Sequence, residues 1–161
     1  MPGGNFTVTT ASRILIVANR TAPTPSLLEA VRTRASVGDA SFHLVVPATP
    51  RGLHRVVDPE VAGLDAAREN LRLALPRLSQ AAGAPVTGAI GDANPLSAIE
   101  DAMNLQGYDE IIISTLGRTF SRWLRLDVVS KARALGVPVT HIRPNSVDAC
   151  MLEPELAGTA R

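Results

Sequence analysis

Short apolar runs alternate along the chain with stretches whose apolar residues recur at three- and four-residue steps. Ile14 to Ala18, Phe42 to Val46 and Glu110 to Ser114 are near-continuous apolar segments bounded by turn residues. Such runs read as strands buried on both faces, the signature of a parallel sheet. Pro85 to Ile90 and Val137 to Ile142 read as two further strands, the former weakened by Gly88. Between them the period lengthens. Leu27, Leu28, Val31 and Ala35 mark one helix, with Ser26 as its expected N-cap. Val61, Leu64, Ala67, Leu71, Leu75, Leu78 and Ala82 mark a long one that Pro76 should kink. Asn94 and Pro95 suit the N-cap and first position of a third, with Leu96, Ile99, Ala102 and Met103 on its inner face. The last helix runs from about Arg122 or Asp127 to Leu135, with Gly136 closing it.

Strand and helix alternate throughout. The expected fold class is therefore α/β, a three-layer α/β/α sandwich around a five-stranded parallel sheet. Residues 1–12 read as a loose tail, 13–144 as the domain, and 145–161 as a C-terminal tail without clear periodicity. Ala48 to Pro59, with Arg51, His54 and Arg55, is a long connection of the kind that carries function.

Composition narrows the partners. Aromatics make up 3% of the chain, so Val, Leu, Ile and Ala must build the core. A formal net charge of +1 supplies no field for nucleic acid or a membrane surface. The single cysteine, Cys150, excludes an intrachain disulfide. With no apolar run of membrane-spanning length and no secretory pattern before Ser12, the expectation is a cytoplasmic protein. No Walker loop, nucleophile elbow or dinucleotide fingerprint occurs, and no metal-ligand spacing.

Chemistry concentrates where strands end. Glu110 to Val129 reads strand, loop, helix, which sets a loop and a helix N-terminus at the carboxyl edge of the sheet, where α/β folds bind ligands. Arg118, Arg122 and Arg125 cluster there and would suit an anion, although surface arginines are commonly just solvated. Trp123 reads as packing. Asp92 and Asn94 are explained as well by turn chemistry as by a ligand. His43 and His141 lie in strands and read as hydrogen-bonded structural residues. His54 is the better acid–base candidate.

Three strings, Ile14 to Asn19, Ile90 to Pro95 and Asp109 to Arg118, together with the ending Gly136 to Ile142, resemble the universal stress protein family. The resemblance spans about Arg13 to Pro144. It implies strand order 3-2-1-4-5, the adenine-nucleotide α-hydrolase-like arrangement, and a homodimer through the last strand, Pro138 to Ile142. ATP-binding members carry glycine, two residues, glycine, nine residues, then glycine and a hydroxyl residue. Those places fall here on Ser114, Gly117, Asp127 and Val128. The spacing survives, but one glycine of three remains, the hydroxyl is lost, and a carboxylate stands where phosphate would sit. Asn19, after Ala18, replaces the aspartate that holds adenosine. Near Val46, where the family contacts adenine through backbone, Pro47 removes an N–H. Asp127 also has an ordinary role as an N-cap.

The resulting expectation is a non-catalytic regulatory or ligand-sensing domain whose ATP cradle is lost. A small-molecule or protein partner is expected besides the second copy. The alternatives are an adenine-nucleotide binder of altered specificity, using Asn19, Gly91, Gly117 and the arginines, and a small hydrolase or transferase on the same fold. The last needs two titratable groups near Gly117, for which only Asp92 and Asp127 offer themselves.

Overall fold

The computed structural model describes residues 10–49, 59–116 and 127–157, with backbone alone at 59–60 and 153–157. Five parallel strands form one sheet: β1 (Ser12–Val17), β2 (Ala40–Pro47), β3 (Thr87–Gly91), β4 (Glu110–Ser114) and β5 (Val139–Ile142). Their order is β3-β2-β1-β4-β5, as the family resemblance implies. Helices α1 (Pro25–Val37) and α2 (Pro59–Ala82) cover one face. Helices α3 (Pro95–Leu105) and α4 (Val128–Arg133) cover the other. A further helix, α5 (Ser146–Ala157), packs against α1.

Strand alternation divides the core between the two faces. Ile14, Ile16, Phe42, Leu44, Val46 and Ile112 point toward α1 and α2. Leu15, Val17, Val45, Ile111 and Ile113 point toward α3 and α4. Every one of these is buried, which is why the runs show no polar alternation. Gly88 has a packing reason. A Cβ there would stand 2.6 Å from Leu71 Cδ1 and 3.0 Å from Leu75 Cδ2, so glycine lets α2 lie close on β3. Helix α2 runs unbroken through Pro76. Its buried line passes through Ala67, Ala74, Leu78 and Ala81, leaving Val61 48% exposed rather than on the inner stripe.

Two helix starts differ from expectation. Ser26 is not the cap of α1. Thr24 occupies that place in extended conformation with Pro25 first in the helix, and the Thr24 hydroxyl donates to Thr21 O at 2.7 Å instead of capping. The C-terminal segment is not a structureless tail. Asn145 Oδ1 accepts from the N–H groups of Val147 and Asp148, both at 2.9 Å, and Asp148 Oδ2 accepts from Asn145 N–H at 3.0 Å. This reciprocal pair is a capping box, and it starts α5. The other Asp148 oxygen accepts from Ser26 N–H at 3.1 Å, so a residue of α5 supplies the cap expected of Ser26. Asp148 is fully buried.

Helix α4 ends at Arg133 with Ala134 as its cap, short of the expected Leu135, and Gly136, left-handed at φ 84°, lies in the turn beyond rather than directly closing the helix.

Candidate functional site

The strand order reverses direction between β1 and β4, and in such sheets the crevice at the carboxyl edge there is the place for a ligand. Here that edge is tied across by the protein's own hydrogen bonds. Thr21, in the loop after β1, donates its hydroxyl to Ser114 O at 3.0 Å, spanning the switch point. Thr21, Ser114 and Thr115 are 3%, 2% and 2% exposed. On the other side of β1, Asn19 Nδ2 donates to Pro47 O at 2.8 Å, and Asn19 Oδ1 accepts from Asn70 Nδ2 of α2 at 2.6 Å. The side chain of Asn19 thus bridges β1, β2 and α2. An aspartate could not make this bridge, because a carboxylate has no proton to donate to the Pro47 carbonyl. Ala18, fully buried, continues the ladder through its N–H to Val45 O at 3.3 Å, and Val46 is likewise fully buried.

The turn after β3 is occupied by local chemistry. Asp92 Oδ1 accepts from Asn94 N–H at 2.7 Å, and Asn94 Oδ1 accepts from Leu96 and Ser97 N–H, capping α3 as expected. Gly91 is needed for packing. A Cβ there would stand 2.6 Å from Ala98 Cβ and 2.7 Å from Val45 Cγ1. Ala48 N–H and the Thr49 hydroxyl bind the carbonyls of Gly91 and Ala93.

Asp127 stands at the N-cap place of α4, but its side chain makes no capping hydrogen bond. Its backbone is left-handed, φ 53° and ψ 38°, the one non-glycine residue among those described with positive φ. That conformation belongs to glycine, and aspartate tolerates it better than most. Val128, 1% exposed, packs its side chain inward. Gly117, Arg118 and Arg122, with Trp123 and Arg125, lie outside the described residues, as do Arg51, His54 and Arg55.

Both strand histidines are bound to threonine hydroxyls: His43 Nδ1 to Thr87 Oγ1 at 2.7 Å and His141 Nε2 to Thr115 Oγ1 at 2.8 Å. Burial holds each imidazole below its ordinary pKa, and Arg143 and Arg133 add to this at His141. Thr115 and His141 form a hydroxyl–imidazole pair two residues before Gly117. A hydroxyl 2% exposed, however, offers a substrate no approach. Asp92 is committed to its turn, accepting from Asn94 N–H. Among the described residues no group of three or more His, Cys, Asp or Glu could hold a metal, and no helix is long and apolar enough to cross a membrane.

Comparison with solved structures decides the fold. A universal stress family protein from Burkholderia pseudomallei superposes with TM-score 0.58 and 18% identity, over 81% of this chain and 95% of that one. The fold is that of the universal stress proteins. The Archaeoglobus fulgidus universal stress protein in complex with dAMP matches at TM-score 0.55 and 21% identity, over 83% of this chain and 98% of that one. A universal stress protein in complex with cAMP matches at TM-score 0.55 and 17% identity, over 81% and 96%. No family model and no curated protein matches the chain. Within this universal-stress-protein fold, sequence reasoning missed Thr21, Asn70 and Thr115. A polar residue following each apolar run was the available signal for Thr21 and Thr115. Asn70 had none, since it lies beside the stripe of a long helix.

Proposed function

We propose that the chain is a non-catalytic regulatory or ligand-sensing module on the universal stress protein fold, without the ATP cradle of the resembling family. The observation carrying this reading is the double engagement of Asn19 by Pro47 O and Asn70. Residue 47 has no N–H to offer an adenine, and its carbonyl is already taken. The Thr21–Ser114 bond across the switch point supports the same reading, as does the Asp127 carboxylate, which would oppose a triphosphate. Isothermal titration with MgATP tests it. The expected result is no binding tighter than about 1 mM, and a tighter constant would overturn it.

A second reading, a nucleotide of lower charge, is favoured by the neighbours that hold dAMP and cAMP. One carboxylate opposes a monophosphate less than a triphosphate. Titration with AMP and cAMP distinguishes it.

We also propose that two copies associate through β5. The carbonyls of Pro138 and Ile142 accept from Ile111 and Thr115, so Val139 and His141 turn their backbone N–H and C=O groups outward. Sedimentation equilibrium should find a dimer that Val139→Pro dissociates. A wild-type monomer at about 100 μM would refute it.

A further inference from the structure

A groove of about 610 Å³ lies between α1, the end of β5 and α5. Its lining includes none of Asn19, Pro47 and Asn70, the residues of the clasp. Helix α5 is one wall. The capping box of Asn145 and Asp148, with the Asp148–Ser26 bond, holds that wall against the first turn of α1. Pro25, Leu28, Ile142 and Val147 form the apolar lining. Val147 is 57% exposed, an apolar side chain left uncovered beside an open groove.

The charges in the lining are few and readable. Arg32 is paired with Glu29 within α1. Among the described residues Arg143 makes no ion pair, although its charge reaches His141. Burial, with the charges of Arg143 and Arg133, holds His141 below its ordinary pKa, which disfavours a second positive charge in the lining. Arg143 is exposed to solvent and is the lining cation without an acidic side-chain partner among the described residues, while the buried Asp148 carboxylate behind Ser26 and Asn145 is taken up by their N–H groups. The volume lies in the range of small-molecule sites. A guanidinium matches a carboxylate in two parallel hydrogen bonds. With Glu29 and Arg32 paired to each other, Arg143 can match a single negative charge.

We propose that this groove binds a small amphipathic monoanion, an aliphatic or aromatic carboxylate, with its apolar body against Leu28, Ile142 and Val147 and its carboxylate on Arg143. Because α5 is the wall, the site exists only while Asp148 keeps that helix docked.

The test is a ¹H–¹⁵N NMR titration of the full chain with octanoate. Saturable shifts confined to residues near 25–32 and 141–148 are expected, with a dissociation constant below about 1 mM. Arg143→Gln should weaken binding about tenfold or more. Val147→Glu, at an exposed position that leaves the fold intact, should do the same. Octylamine and ATP should leave those signals in place. Absence of saturable shifts overturns the proposal. So does unchanged affinity in Arg143→Gln or Val147→Glu, or equal binding of octylamine or ATP at these residues.

Discussion

Replacing Asn19 by aspartate changes one heavy atom, and the structure assigns it a large effect. Asn19 Nδ2 donates to Pro47 O at 2.8 Å in a half-buried place, while Oδ1 takes the proton of Asn70. In Asn19→Asp the second bond survives. The first becomes two acceptors facing each other. Losing that hydrogen bond removes about 1 kcal/mol, and leaving the Pro47 carbonyl against a carboxylate adds about as much again, so the expected loss at pH 7 is about 2 kcal/mol. For a chain of this length that corresponds to a melting temperature about 4–8 °C lower. The penalty depends on pH in a definite sense. Facing a carbonyl raises the folded-state pKa of the introduced carboxyl above its unfolded value of about 4. The folded state then holds more protons between the two values, so the variant loses stability relative to wild type as pH rises through that window. Below the unfolded pKa the carboxyl is protonated, can donate to Pro47 O, and the deficit closes. Urea unfolding of both proteins at about pH 3.5 and pH 7 measures the difference. A variant as stable as wild type at pH 7, or a deficit independent of pH, would show that the Asn19–Pro47 bond does not hold the sheet edge.

Other expectations rest on single contacts. Gly91→Ala places a methyl group 2.6 Å from Ala98 Cβ, which no rotamer can relieve, so about 2 kcal/mol should be lost in urea melts with no ligand present. Asp127→Gly removes a left-handed strain and a carboxylate but adds chain entropy to the unfolded state, so its stability should stay within about 0.5 kcal/mol of wild type. Asp127→Val should lose about 1–2 kcal/mol, because a β-branched residue resists that backbone. Asp148→Ala strips the capping box and the Ser26 bond, and hydrogen exchange across 146–157 should accelerate while the sheet amides stay protected. His43 and His141 should titrate below 6.5 by NMR. Their contribution to stability is therefore full above pH 6.5 and fades as pH falls through the folded values; midpoints above 6.5 would contradict the burial argument.

The parts of the fold legible in the sequence were those where one local rule dominates. Ile111 to Ile113 is too apolar to be anything but a strand buried on both faces, and Asn94–Pro95 carries both halves of a helix start. The C-terminal helix was missed because Val147 and Met151 face outward, 57% and 50% exposed, so no amphipathic stripe betrays it. Its signal was the spacing of Asn145 and Asp148, legible only as a capping box. Ser26 was misassigned for a related reason: the group that satisfies its N–H comes from 122 residues away. The site residues divide the same way. Asn94 acts through neighbours in sequence. The roles of Asn19 and Thr21 depend on Pro47, Asn70 and Ser114, which only the strand order brings beside them. Pattern alone showed that Asn19 departs from the resembling family, but not that its amide had become a structural tie.

The side-chain amide of Asn19 is itself the most direct witness. Followed by NMR while MgATP is added to several millimolar, its Nδ2 protons should stay hydrogen-bonded to Pro47 O, with their resonances unmoved. A saturable displacement of those resonances at submillimolar nucleotide would mean that adenine opens the clasp, and that the cleft still belongs to ATP.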